Sequence, residues 1–134
     1  MTAIKRLKEM PRVDPDALGV HSLDHFALTV PKLDEAETFY AHFGLDTRAE
    51  GGALALRTFS SPHRWGLVTE GTRKQLHHLS FGCYAHDLPR FKAQFEAQGV
   101  KLLDPPAGFE SNGLWLRSPE GVLIEIKVAP KVMA

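Results

Sequence analysis

This chain repeats itself, and the repeat constrains its fold more than any other feature. The string Leu23-Asp24-His25-Phe26-Ala27-Leu28 is echoed by Leu76-His77-His78-Leu79-Ser80-Phe81, with His25 and His78 53 residues apart. Asp34 and Asp87, each standing where a helix should begin, keep the same interval. Leu54-Ala55-Leu56-Arg57 is matched by Leu114-Trp115-Leu116-Arg117, and Ser61-Pro62 by Ser118-Pro119. A unit of about 50 residues that recurs must be recognised before a fold is assigned, because one copy alone leaves an apolar face uncovered.

Each copy predicts strand–helix–three strands. Residues 22–30 alternate with period two and predict a strand. Asp34 then reads as a helix N-cap, with Glu35 and Glu37 in the first turn. Leu33, Ala36, Phe39, Tyr40 and Phe43 make an apolar face at helical spacing, and Gly44 stops the helix. Short strands are expected near 47–50, 53–59 and 65–69, parted by Gly51-Gly52 and Ser60-Ser61-Pro62. The second copy predicts a strand over 75–84. A helix follows, capped by Asp87, with Pro89 in its first turn and Leu88, Phe91 and Phe95 facing inward. Gly99 ends it, and strands follow at 100–103, 113–117 and 122–128. The fold expected is α+β: two βαβββ modules (22–70 and 75–129) sharing one curved, partly closed mixed sheet, with the helices outside. Residues 1–21 read as an arm and 130–134 as a tail or interdomain linker.

Composition removes several functions. Sixteen Lys and Arg balance sixteen Asp and Glu, so no basic surplus recruits nucleic acid or an anionic membrane. No apolar run approaches the roughly 20 residues that span a bilayer, and the opening segment lacks the apolar centre of a secretory signal. A single cysteine, Cys83, cannot form an internal disulfide, which points to a reducing, cytoplasmic compartment. By strand alternation Cys83 falls on the helix side, buried and inert.

Three potential ligands sit inside strand-like runs. In 22–30, Phe26, Leu28 and Val30 are large and apolar and should meet the helix, so His25, Ala27 and Thr29 face the other way. In 75–84, Leu79, Phe81 and Cys83 take the helix side, which leaves His78, Ser80 and Gly82 on the inner face and turns His77 away. Glu125 alternates with Ile124 and Ile126 and so faces inward too. A bare carboxylate there costs several kcal/mol unless paired or bound to a metal. Two histidines and a carboxylate form the facial triad of non-haem Fe(II) sites. Each residue alone also fits an ordinary packed or half-exposed side chain; the joint pattern favours Fe(II), then Mn(II) or Zn(II).

With these residues the chain resembles the vicinal oxygen chelate superfamily, which includes glyoxalase I, type I extradiol dioxygenases and the fosfomycin and bleomycin resistance proteins. The motifs that carry the resemblance are 23–28, 76–81 and Ser118-Pro119-Glu120-Gly121-Val122-Leu123-Ile124-Glu125. The resemblance implies paired βαβββ modules, a divalent metal on His25, His78 and Glu125, and a substrate chelated through two oxygens. His77-His78-Leu79-Ser80-Phe81 looks most like the extradiol branch, whose members carry an acid/base histidine 15 residues before the second metal histidine. That place is His63, which would move a proton during cleavage of a catechol-like vicinal diol. A solvent-exposed turn residue is the equal alternative for His63. The extradiol pattern has a tyrosine ten residues before the metal Glu; here Trp115 stands there and cannot act as a phenol acid. The loop 104–112 lacks the second active-site histidine of that branch.

Two other readings stay open. A non-catalytic module, either a resistance-type ligand binder or the metal-free N-terminal domain of a two-domain dioxygenase, would keep the fold without the chemistry. A glyoxalase-like lyase or isomerase would need a further ligand, for which Glu70 is the candidate. Trp115, Phe109 and Ser80 are expected to line a substrate pocket, and His21, His42 and His86 to lie at the surface. Exposed sheet edges make a homodimer plausible.

Overall fold

The computed structural model describes residues 17–131; the expected arm up to residue 16 and the last three residues lie outside it. Seven strands form a single mixed sheet: β1 (Ser22–Val30), β2 (Asp46–Glu50), β3 (Ala53–Arg57), β4 (Gly66–Glu70), β5 (Gln75–Cys83), β6 (Leu114–Arg117) and β7 (Leu123–Val128). Two helices, α1 (Leu33–Phe43) and α2 (Leu88–Ala97), complete the described fold. The strand order is β2-β3-β4-β1-β5-β7-β6. The halves meet where β1 and β5 pair antiparallel; β4 flanks β1 and β7 flanks β5, both parallel.

The sheet does not close on itself; β2 and β6 stand at its ends. The expected strand over 100–103 is reduced to one bridge, Leu103 to Trp115. Pro105 and Pro106 follow at once and bring no backbone donors to extend a ladder.

The apolar faces sort as strand alternation requires. Phe26, Leu28 and Val30 pack with Leu54, Leu56 and Val68 beneath Leu33, Ala36 and Tyr40 of α1. Cys83, Leu116 and Ile126 pack with Phe91 of α2, joined by Leu88, Phe95 and Ile124. Each half thus has its own core under its own helix. The other side of the sheet buries His25, His78, Ser80 and Glu125.

Three local expectations are corrected. The α1 N-cap is Lys32, not Asp34, whose carboxylate accepts from the next backbone N–H, that of Glu35. Leu33 belongs to the core, so the helix starts one residue before Asp34. Phe39 and Phe43 do not face the core; they are 61% and 71% exposed. Phe39 lies one residue, about 100° of rotation, from the packed Tyr40, and the apolar arc is wider than the strip the sheet covers. His21 is not a free surface residue. Its ring bonds the Ala129 carbonyl and packs at a tilt against Tyr84, tying the chain entering β1 to the chain leaving β7.

Two of the other expected helix signals hold. Asp87 is the α2 N-cap position, although its carboxylate pairs with Arg90 instead of capping, and Gly44 takes a left-handed φ at the end of α1. No described helix is long and apolar enough to cross a membrane.

One irregularity matters for the site. The β1–β5 ladder slips twice, between Leu23 and His25 and between Ala27 and Leu28. Asp24 is the extra residue of β1 at the first slip, and His77 is the extra residue of β5 at the second. A bulge lets two successive side chains share a face, so His77 does not point away from His78. Both rings pack on Phe109.

Candidate metal centre

The central strands bring three side chains together in register. On β1 and β5, His25 pairs with Ser80 and Ala27 with His78. On β7, Glu125 pairs with Ser80. A row His25–Ser80–Glu125 therefore crosses three strands, with His78 two residues along the middle one. One ligand atom each from His25, His78 and Glu125 lies within 4.8 Å of the others.

The atoms are aimed as well as near. The Nε2 atoms of His25 and His78 face each other at 3.3 Å. Two nitrogens bound to one ion at about 2.0–2.1 Å stand close to that separation. His25 Nδ1 is 2.7 Å from a carboxylate oxygen of Asp24, and His78 Nδ1 is 2.8 Å from His77 Nδ1. The carboxylate only accepts, so His25 carries its proton on Nδ1 and keeps the Nε2 lone pair.

Glu125 is held at both oxygens. Ser80 donates to Oε1 at 2.7 Å, and the Ser111 hydroxyl donates to Oε2. Trp115 Nε1 donates to Ser111 Oγ at 3.2 Å, as does the Gly113 backbone N–H. Each carboxylate oxygen has two acceptor sites, so one remains on each for an ion.

Electrostatics set the protonation states of His78 and Asp24. Burial pushes His78 down to about 4, helped by His25, His77 and Lys127. Burial and Arg117 also lower His77. Burial alone would raise the Asp24 carboxyl, but the His25 bond and Lys127, whose Nζ is 3.2 Å away, hold it at about 2. At neutral pH His78 is neutral and Asp24 an anion, the states compatible with metal binding.

The remaining expected site residues lie around this centre. His63 is half-buried against Trp65, and its Nε2 donates at 2.6 Å to the backbone carbonyl of Asp24. That leaves Nδ1 as the ring atom able to take a proton. Ser80 and Trp115 are buried beside His78 and Glu125, not open to a groove: Ser80 is 0% and Trp115 1% exposed, and the Trp115 ring stands edge-on to His78. Phe109 covers His77 and His78 and lines a groove of about 550 Å³ with His77, Thr29, Leu67, Thr69 and Arg64. Glu70 is exposed at the end of β4 and is not among the three clustered ligands. Asp24 and Ser111 are contacts that sequence reasoning missed. Asp24 stands in the motif but its role depends on a bulge, and Ser111 arrives from a loop with no period.

Residues 22–126 match the family model of the Glyoxalase/Bleomycin resistance protein/Dioxygenase superfamily, and the chain belongs to that family. It is 37% identical over 114 residues to Metapyrocatechase 2 of Cupriavidus necator, an alignment covering 84% of this chain and 35% of that protein. The chain therefore spans about a third of the length of this curated relative. Among solved structures it is similar to the 2,3-dioxygenase LapB from Pseudomonas sp. KL28 (TM-score 0.69, 24% identity, 84% of this chain and 42% of that one). It is also similar to homoprotocatechuate 2,3-dioxygenase from Brevibacterium fuscum in complex with 3,4-dihydroxyphenylacetate (TM-score 0.70, 20% identity, 94% and 42%). The Mn(II)-bound glyoxalase from Novosphingobium aromaticivorans has the same fold (TM-score 0.67, 20% identity, 86% and 42%).

Proposed function

We propose that this chain is a metal-dependent dioxygenase of the extradiol type acting on a catechol-like vicinal diol. The observation that carries the reading is the pair of Nε2 atoms facing each other beside the Glu125 carboxylate. His25, His78 and Glu125 would hold the metal, Fe(II) before Mn(II) or Zn(II). Bound there, the ion would supply Lewis-acid activation of the diol and open positions for it and dioxygen.

The chain's own residues do the rest. Ser80 and Ser111 fix the Glu125 carboxylate from both sides, so it does not swing toward solvent. His63, with Nε2 committed to the Asp24 carbonyl, takes and returns a proton at Nδ1. The groove beside His77 and Phe109 takes the aromatic ring; its volume of about 550 Å³ falls in the range of small-molecule sites. The 37% identity to Metapyrocatechase 2 supports the same chemistry.

Buried Trp115 favours a second reading, in which the centre binds metal and ligand without ring cleavage, because no phenol stands at that place. A glyoxalase-like isomerase has less support, since Glu70 stays outside the cluster.

Elemental analysis of protein purified without oxygen, beside His25→Ala and Glu125→Ala, tests the metal. Wild type should hold one equivalent of iron, manganese or zinc, and the variants little; equal metal in all three ends this reading. A catechol screen on iron-loaded protein should then give a yellow ring-cleavage product. Ligand binding that survives metal removal, with no such product, would establish the binding module instead.

A further inference from the structure

We propose that Asp24 and His77 are paired positioning residues, each aiming the metal-facing nitrogen of the histidine that follows it; this rests on the metal reading above. The two occupy equivalent places in the repeat, one residue before His25 and His78. Each is the extra residue of a bulge, Asp24 in β1 and His77 in β5. Without the bulge, strand alternation would turn each of them to the opposite face of the sheet from its histidine. With it, their side chains reach the Nδ1 atoms at 2.7 and 2.8 Å.

The chemistry at the two places differs. Asp24 is an anionic acceptor, steadied by Lys127 at 3.2 Å. It holds the proton of His25 on Nδ1 and makes Nε2 a stronger donor toward a cation. His77 is a neutral acceptor. For His78 to offer the Nε2 lone pair to a metal, its proton must sit on Nδ1, and His77 Nδ1 must then accept it. His77 thereby carries its own proton on Nε2, and Phe109 packs over both rings and holds them in place. One centre thus has an anionic brace on one ligand and a neutral brace on the other.

The test compares two substitutions at each place. Asp24→Ala and His77→Leu remove the acceptor, whereas Asp24→Asn and His77→Gln keep an amide oxygen that accepts from Nδ1–H. Zn(II) affinity is measured on metal-free full chain by competition with a chromogenic chelator, with the Co(II) absorption spectrum and the thermal midpoint of the metal-free protein recorded alongside. The acceptor-free variants should bind Zn(II) about 10–100-fold more weakly and show a shifted Co(II) spectrum, and the amide variants should recover part of the loss. Affinities within twofold of wild type for Asp24→Ala and His77→Leu overturn the proposal. So does an amide variant as weak as its acceptor-free counterpart at the same thermal midpoint. Wild type that takes up no metal sinks the metal reading itself; wild type that binds while all four variants bind equally sinks only the positioning role.

Discussion

The two halves of the molecule follow one plan and have diverged in opposite directions. The first half keeps four strands in the order β2-β3-β4-β1, while the second keeps β5, β7 and β6 and a single bridge at Leu103. Yet the half with fewer strands carries two of the three clustered side chains, His78 and Glu125, and the first carries only His25. The segment that fails to form a strand explains this. Released from the ladder, the loop after Leu103 carries Phe109 over His78 and brings Ser111 to Glu125. Loss of regular structure at one edge supports the site in the middle. The helices differ too: α2 buries Phe91, whereas α1 buries no residue fully and leaves Phe39 and Phe43 outward.

The sharpest way to break this comparison is Trp115→Ala. Trp115 is 1% exposed and touches both His78 and Ser111. Its loss should cost about 3–5 kcal/mol in urea unfolding, and a cost below 1 kcal/mol would mean the second half does not depend on it. Phe91→Ala should destabilise by about 3 kcal/mol, because Phe91 is the buried residue of α2, with Leu88 and Phe95 only partly buried beside it.

A pH series on metal-free protein probes the same half. His78 sits at about 4 against an ordinary 6.5, so the folded state resists a proton that the unfolded chain accepts. Stability from this group is complete above pH 6.5 and declines as pH falls toward 4, by about 3 kcal/mol in all. His78→Gln should flatten that slope. Asp24, held at about 2 against 3.8, keeps its contribution until the pH drops below about 4 and loses it toward 2.

Gly113→Ala comes next. A Cβ there would lie 2.8 Å from the Ile126 carbonyl and 3.1 Å from Glu125 Oε2. About 1–3 kcal/mol of stability should be lost, together with metal retention as Glu125 is displaced. In the first half, Gly66→Ala meets the side chains of Phe26 and Leu56 instead, so it should cost stability and spare the metal. The smallest effect belongs to Phe39→Ala, exposed on α1, within about 0.5 kcal/mol by the same unfolding measurement.

Much of the architecture was legible because it is periodic. Alternation placed Phe26, Leu28, Val30, Cys83 and Ile126 on the helix side, and the repeat paired His25 with His78. What alternation could not reveal is where it breaks. A bulge adds one residue without altering the apolar pattern around it, so His77 reads as facing away although its ring lies beside that of His78. The reduction of 100–103 to one bridge was hidden for another reason. Val100, Leu102 and Leu103 have the composition of a strand, and only the prolines after them limit its length. Ser111 shows the boundary of such reading: a loop serine next to a buried carboxylate is fixed by the path of the chain, which no local signal encodes.

The twin bulges also bear on how this sequence can change over evolutionary time. One extra residue in β1 and one in β5 compensate each other, so the ladder returns to register beyond them. Deleting Asp24 alone, or His77 alone, would restore regular pairing at that bulge, leave every other pair of the ladder as it is, and remove the side chain beside His25 or His78. Substitution, too, can change the side chain that meets His25 or His78 without moving the sheet. At these two places the neighbours of His25 and His78 can change, or be lost, while the pairs that bring the two histidines together stay as they are.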